Sequence, residues 1–539
     1  MTPTARRLKE ERNALHFSRR SSIPSSLDTL QRLTPRGLRH SALVSWVSWL
    51  ASFLVMLLVF PVMLTRMGAQ DFGLWAALTV PTNLGALFGL GIAPAVVSVL
   101  GRSLGEARGS VDGPEASKHL SAAGSCARAG LVFALATGCV TFLVCFAVAG
   151  PIVDLIHVPA AERTSAVFLF RASGLCLGGM LVGGGIAAVL DAVGRVDLDA
   201  AAIGVVTVVN ALLLLAAVMI RPDFHTLALV SLATAVTNVA APAVCLLTSG
   251  SSVILRWGVL NWAAFKRLGG LAASLGSVDG IGAILDPTVK LVVGALGGGV
   301  PIAVYALASR AVSVLSGTFT SLLAPLMPYY ARTLTEHGSD HVTERVTSNS
   351  RLLTAVAFPT IALFAVASDA LMRLWLGDSL PPGAVESLEI LAIGTLLSMW
   401  FRAPWSALVA AGRGTRLLVV QAASFAGAVV VLALAALQVV PLTVAAATAV
   451  CSFTLVGSAL TLVQYRRTFG RVAARDLLRS ARRGALLAAV ATPLVLVVRL
   501  IGGSPAQQTA VTVAAWLAVL VYLSRSEPEL HAVVAPPRR

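Results

Sequence analysis

No Gly-Lys pair occurs in the chain, which excludes a P-loop and any ATPase built from these residues. No His-Glu pair occurs either, so the H-E-x-x-H zinc motif is absent. The six cysteines, Cys126, Cys139, Cys145, Cys176, Cys245 and Cys451, form no C-x-x-C and all lie in apolar stretches. They read as small buried hydrophobes rather than as metal ligands or disulfides. Gly101-Arg-Ser-Leu-Gly105 spells G-x-S-x-G, but it ends an apolar segment and does not join a strand to a helix, so it is no nucleophile elbow. Charge is scarce: 12% of the 539 residues are charged and 57% are hydrophobic. Soluble domains carry about 25% charged residues, so the chain reads as a polytopic all-α membrane protein.

The charge that is present is mostly basic, with a net of +16. A basic balance can signal nucleic acid. Here the cations sit in short segments between apolar runs, as the positive-inside rule expects, and no nucleic-acid partner is anticipated. No cofactor or metal site is anticipated either. The eight histidines are scattered, and Asp191, Asp197 and Asp199 in one polar connection read as a solvated face.

Apolar stretches long enough to cross a bilayer run over 41–65, 72–100, 121–149, 166–190, 200–220, 226–248, 270–297, 302–328, 352–372, 385–410, 417–437, 442–463, 484–501 and 507–523. That makes fourteen spans. With the N-terminus inside, Arg102, Arg195, Lys266, Arg345, Arg413 and most other loop cations fall on the cytoplasmic side, so both termini are expected there. The expected layout starts with a basic tail, 1–40, and a six-helix lobe, 41–248. A linker, 249–269, leads to a second six-helix lobe, 270–463. An Arg-rich loop, 464–483, two extra helices, 484–523, and a tail, 524–539, complete it. The two lobes rest on an internal repeat. Leu190-Asp-Ala-Val-Gly-Arg195 matches Leu408-Val-Ala-Ala-Gly-Arg413, and Thr65 to Trp75 occupies the place of Gly294 to Tyr305. Two six-span halves of equal orientation are related by an axis along the membrane normal. Glycine pairs at four-residue spacing, among them Gly174/Gly178, allow close helix approach.

Charges inside the apolar part concentrate between 276 and 310, at Asp279, Asp286, Lys290 and Arg310. A charge at bilayer depth costs several kcal/mol, so such residues face a bundle interior or a wet cavity. Lys290 and Arg310 flank the Gly-rich turn near Gly299 and both lie about 15 Å deep, near the midplane of a 30 Å core. Asp286 is one helical turn from Lys290, beside Pro287. Two readings stay open. In one, Lys290 and Arg310 bind an anionic substrate, Asp286 exchanges a proton or pairs with a cation as Lys290 engages it, and Arg402, beside Pro404, guards the cytoplasmic side. In the other, Asp286 and Lys290 are an ion pair that only locks two helices. Arg128 and Arg171 are expected to snorkel to the surfaces, and Glu386 and Glu389 to be solvated. Ser41, Ser45, Trp46, Trp49 and Ser52 form a stripe suited equally to a cavity wall or to packing.

Several local patterns resemble one family. They are Arg66-Met-Gly with Phe72-Gly-Leu-Trp75, Leu90-Gly-Ile-Ala-Pro-Ala95, Val304-Tyr-Ala-Leu-Ala-Ser-Arg310, Leu326-Met-Pro-Tyr-Tyr-Ala331, Leu374-Trp-Leu-Gly377 and the two Gly-Arg turns. Across about Leu43 to Arg467 the chain resembles the Wzx-like polysaccharide flippases of the multidrug/oligosaccharidyl-lipid/polysaccharide exporter superfamily. The resemblance implies twelve or fourteen helices in two lobes around a cationic central cavity. It implies a non-enzymatic flippase in the bacterial cytoplasmic membrane whose substrate is an undecaprenyl-diphosphate-linked oligosaccharide. A polysaccharide polymerase and glycosyltransferases are the candidate partners besides the lipid bilayer. A multidrug antiporter, which needs a carboxylate-dominated cavity, a lipid II exporter and a membrane glycosyltransferase or ligase remain as alternatives.

Overall fold

The computed structural model describes residues 38–109, 113–256, 259–323 and 326–526. Side chains are described only in part near 38–54, 83–90, 273–279 and 320–335, so the 41–52 stripe and the Asp279 side chain lie outside the described residues. The described residues form helices and short connections, with no strand among them. The helices are α1 (Leu38–Leu78), α2 (Val80–Gly109), α3 (Gly113–Leu155), α4 (Arg163–Val193), α5 (Val196–Ile220), α6 (Phe224–Thr248), α7 (Trp262–Gly297) and α8 (Gly299–Leu323). They continue with α9 (Leu326–Val366), the short α10 (Ser368–Leu376), α11 (Ala384–Ala410), α12 (Gly414–Ala436), α13 (Leu442–Phe469), α14 (Arg471–Leu500) and α15 (Pro505–Ser526). Among the described residues, twelve helices are long and apolar enough to cross a membrane, and the first two expected spans fall in α1 and α2. The protein is a multi-pass membrane protein. Large apolar side chains such as Leu212, Val236 and Val490 stay exposed on its flanks, where lipid would cover them.

The repeat has a structural counterpart. Gly68 breaks α1 at φ 79°, ψ 166°, and Gly298 separates α7 from α8 at φ 70°, ψ −153°. Both positions need the positive φ that glycine alone adopts without cost. At the second matched pair, the Gly194 and Arg195 N–H groups donate to Asp191 and Leu190, and those of Gly412 and Arg413 donate to Val409 and Leu408. Helix packing repeats as well. The α1–α5, α2–α4, α3–α4, α4–α6 and α5–α6 neighbours recur as α7–α12, α8–α11, α9–α11, α11–α13 and α12–α13. Between the halves, α2 packs on α7 and α1 packs on α8, a reciprocal exchange. Helices α14 and α15 lean on α9.

Several expectations need correction. The 464–483 segment is no loop: α13 and α14 run through it and only Gly470, at φ 97°, interrupts them. Its Ala, Arg and Leu residues are strong helix formers. The 329–351 connection is likewise helical except at Gly338. The 249–269 linker is mostly a 3₁₀ turn, Ser251–Arg256, and the first turns of α7. The Arg171 guanidinium stacks 3.9 Å over the Phe146 ring. Arg128 donates to the Leu255 carbonyl at 2.7 Å. Glu389 is tied down, accepting from Ser368 at 2.9 Å and pairing with Arg499 of α14 at 3.4 Å. Cys139 is exposed, whereas Cys126, Cys145 and Cys176 are buried.

Candidate functional site

Alternating helix direction gathers Gly109, Arg195, Arg413 and the Arg471–Arg482 run at one end of the bundle, called here the basic end. The Gly68 and Gly298 turns lie at the other. At that other end the backbones of the two halves touch directly. A Cβ on Gly73 would overlap the Gly299 carbonyl, and one on Gly299 would overlap the Gln70 carbonyl. The Val300 N–H donates to Gln70 Oε1 at 3.2 Å. Below this contact opens a cavity of about 860 Å³, walled by α1, α2, α4, α5 and α6 and closed from the second half by α7 and α8.

Lys290 and Arg310 both line it. Lys290 is 6% exposed, and its Nζ lies 2.8 Å from Asp286 Oδ2. The buried Tyr305 donates its hydroxyl to Asp286 Oδ1 at 2.9 Å, so one carboxylate ties α7 to α8. Arg310 differs from Lys290: it is exposed to the cavity, and no acidic group pairs with it among the described residues. The structure therefore brings Asp286, Lys290 and Arg310 together. Asp286 stands behind Lys290 and does not line the cavity. Arg402 is not part of this group. It is exposed on α11, outside the cavity. Its position in the matched turn corresponds to Gly184, which does line the cavity, so Arg402 belongs to the second half's own face.

Three features of the site were not legible in the sequence. Tyr305 was noted only as part of a motif; its partner is set by the α7–α8 hairpin. Asp191 and Asp199 are not a solvated face: both line the cavity where it reaches the basic end, and Asp197 is buried against Arg195 at 3.2 Å. Finally, counting in step from Gly68 and Gly298, Phe60 takes the place of Lys290 and Trp75 that of Tyr305. Phe60, Phe72 and Trp75 form a cluster with ring centroids 5.6–6.1 Å apart, facing the same cavity. At the Phe60/Lys290 position the first half presents a ring where the second presents charge.

A family model described as a polysaccharide biosynthesis protein matches residues 127–384, just under half of the chain. Among solved structures, an inward-facing multidrug resistance MATE family transporter of the MOP superfamily aligns with a TM-score of 0.63 at 14% identity, covering 81% of this chain and 99% of that one. The lipid II flippase MurJ, in an inward closed conformation, aligns with a TM-score of 0.63 at 12% identity, covering 90% and 99%. The fold is that of the MOP superfamily. A MOP superfamily transporter from Pyrococcus furiosus, described by the reverse polarity of its binding pocket, aligns with a TM-score of 0.53 at 12% identity, covering 79% and 96%. A comparison with curated proteins gives no match. The fold and the family match agree with the resemblance to polysaccharide flippases.

Proposed function

We propose that this MOP-fold protein flips an undecaprenyl-diphosphate-linked oligosaccharide across the bacterial cytoplasmic membrane during surface polysaccharide biosynthesis, by alternating access. The observation that carries this reading is the presence of Lys290 and Arg310 at mid-depth in a cavity between the two halves. A diphosphate leaving head-group water needs cations at that depth. An arginine with a free guanidinium can hold two phosphate oxygens in parallel, while lysine supplies a point charge. The halves would rock about the midplane, with Gly68 and Gly298 as hinge points. Export of surface polysaccharide in cells lacking the native protein and carrying Arg310→Ala at matched membrane abundance tests the reading. Normal export would remove Arg310 from it. Arg402→Ala, outside the cavity, is expected to reduce export less than Arg310→Ala in the same cells.

A second reading has one specific observation behind it. Asp191 and Asp199 give the basic end of the cavity two carboxylates, which suits a cationic drug. The polarity at mid-depth favours the anionic substrate.

The basic end is assigned to the cytoplasm by the positive-inside rule. With that orientation both termini are cytoplasmic and the cavity opens inward. Cysteines introduced at Pro159 and Pro382 should then react with an impermeant maleimide added to intact cells, and those at Gly338 and Arg475 should not. Labelling at Arg475 from outside would reverse the orientation.

A further inference from the structure

Neither the cation pair nor the fold accounts for the uncharged polar wall that faces the same cavity. Asn210 of α5, with Ser231, Thr234 and Asn238 of α6, occupies successive turns of two helices and lines the cavity throughout. Asn210 and Thr234 are each about 15 Å from the Gly68 end of the bundle, counting 1.5 Å per residue. Lys290 and Arg310 lie at the same level. The Thr234 hydroxyl oxygen lies 2.6 Å from Asn210 Oδ1 and 2.8 Å from the Val230 carbonyl oxygen, and among the described residues the Asn238 amide meets the weak acceptor Cys176 Sγ, at 3.6 Å. The Asn210 amide N–H groups have no protein partner among the described residues. A carboxamide in an apolar helix is costly to desolvate, and these carry hydrogen-bonding capacity that the protein does not use. The same cavity is lined by Phe60, Phe72 and Trp75, rings without charge.

We propose that this wall is a glycan subsite: Asn210 and Asn238 hydrogen-bond the hydroxyls of uncharged sugars, which stack on the aromatic cluster around Trp75. A sugar offers what such a wall recognises. Its hydroxyls both donate and accept, as carboxamides do, and its C–H faces are apolar enough to lie on an aromatic ring. A polyprenyl tail has nothing to bond to the amides, and a diphosphate is better served by the cations. The inference rests on the proposed flippase reading. With the diphosphate at Lys290 and Arg310, the first sugar lies beside the cations and the sugars beyond the first reach the polar wall. A cavity of 860 Å³ is of a size to take a short oligosaccharide segment, since ligand pockets run to about 300–1,000 Å³.

The test is transbilayer movement in proteoliposomes of two lipids, undecaprenyl diphosphate bearing one neutral sugar and the same lipid bearing a neutral oligosaccharide. The wild type should move the oligosaccharide lipid faster. Asn210→Leu with Asn238→Leu should lose about tenfold or more on the oligosaccharide lipid and leave the one-sugar lipid within about twofold. Trp75→Leu, which keeps the amides, should show the same selective loss and stands in if the double variant does not fold. Equal rates for variant and wild type on both lipids would overturn the subsite, as would equal losses on both. Wild-type protein that moves neither lipid would overturn the flippase reading itself, and the subsite with it.

Discussion

Asp286→Ala should strip the protein from the membrane, and Asp286→Asn combined with Lys290→Met should bring it back without restoring export. Lys290 is 6% exposed and its one acidic partner among the described residues is Asp286, 2.8 Å away. Removing one member of a buried ion pair costs about 3–5 kcal/mol, because the other charge is left uncompensated. That is a large share of a typical folding free energy of about 5–15 kcal/mol. Replacing both charges by neutral groups of similar shape is commonly tolerated. The Asp286–Lys290 pair thus serves both readings of the sequence: it locks α7, and it fixes one cation at the cavity wall. The double variant separates them. Normal abundance with lost export makes the lysine functional; normal abundance with normal export makes the pair a lock and nothing more. Tyr305→Phe removes one hydrogen bond from the same carboxylate and should cost about 1 kcal/mol, with export retained. Arg310 behaves differently because it is unpaired and exposed to the cavity. Its truncation should leave abundance unchanged and lower export about tenfold to a hundredfold, the value of one charge-assisted bond. Arg310→Lys should be worse than Lys290→Arg, since only the former loses the guanidinium fork.

The second large effect is conformational. Gly73→Ala should part the two halves at the Gly68 end of the bundle, where their backbones touch. The new Cβ would fall on the Gly299 carbonyl, backbone against side chain, and no rotamer relieves it. Relief requires α1 and α8 to part, which is the movement expected when the cavity changes the side it faces. Overpacking of this kind costs about 1–3 kcal/mol, enough to shift a two-state population about five- to 150-fold. Gly299→Ala meets the Gln70 carbonyl and should act alike. The reporter is a cysteine at Ala76, which lines the cavity beyond the contact. In the wild type it should be slow to react with an impermeant maleimide added at the Gly68 end, and in Gly73→Ala it should react readily. Unchanged labelling in a folded Gly73→Ala protein would show that this contact does not limit access from that end.

Composition and periodicity were enough for the membrane class, since few charges and long apolar runs leave a chain no soluble core to build. They were enough for the repeat as well: Gly68 and Gly298 take the same left-handed turn because the local sequence requires it. Depth along a helix follows from counting residues, so Lys290 and Arg310 could be placed at one level before any fold was known. What counting cannot supply is the direction a side chain faces, because that depends on which helices become neighbours. The exchange of α1 with α8 and α2 with α7 between the halves decided that Lys290 and Arg310 face the first half's cavity and that Arg402 does not. Packing within the first half turned Asp191 and Asp199 toward the cavity, and the α7–α8 hairpin aimed Tyr305 at Asp286. Close backbone contact at Gly73 and Gly299 was equally invisible, because a glycine's value there lies in the neighbour it admits, and only the tertiary structure names that neighbour.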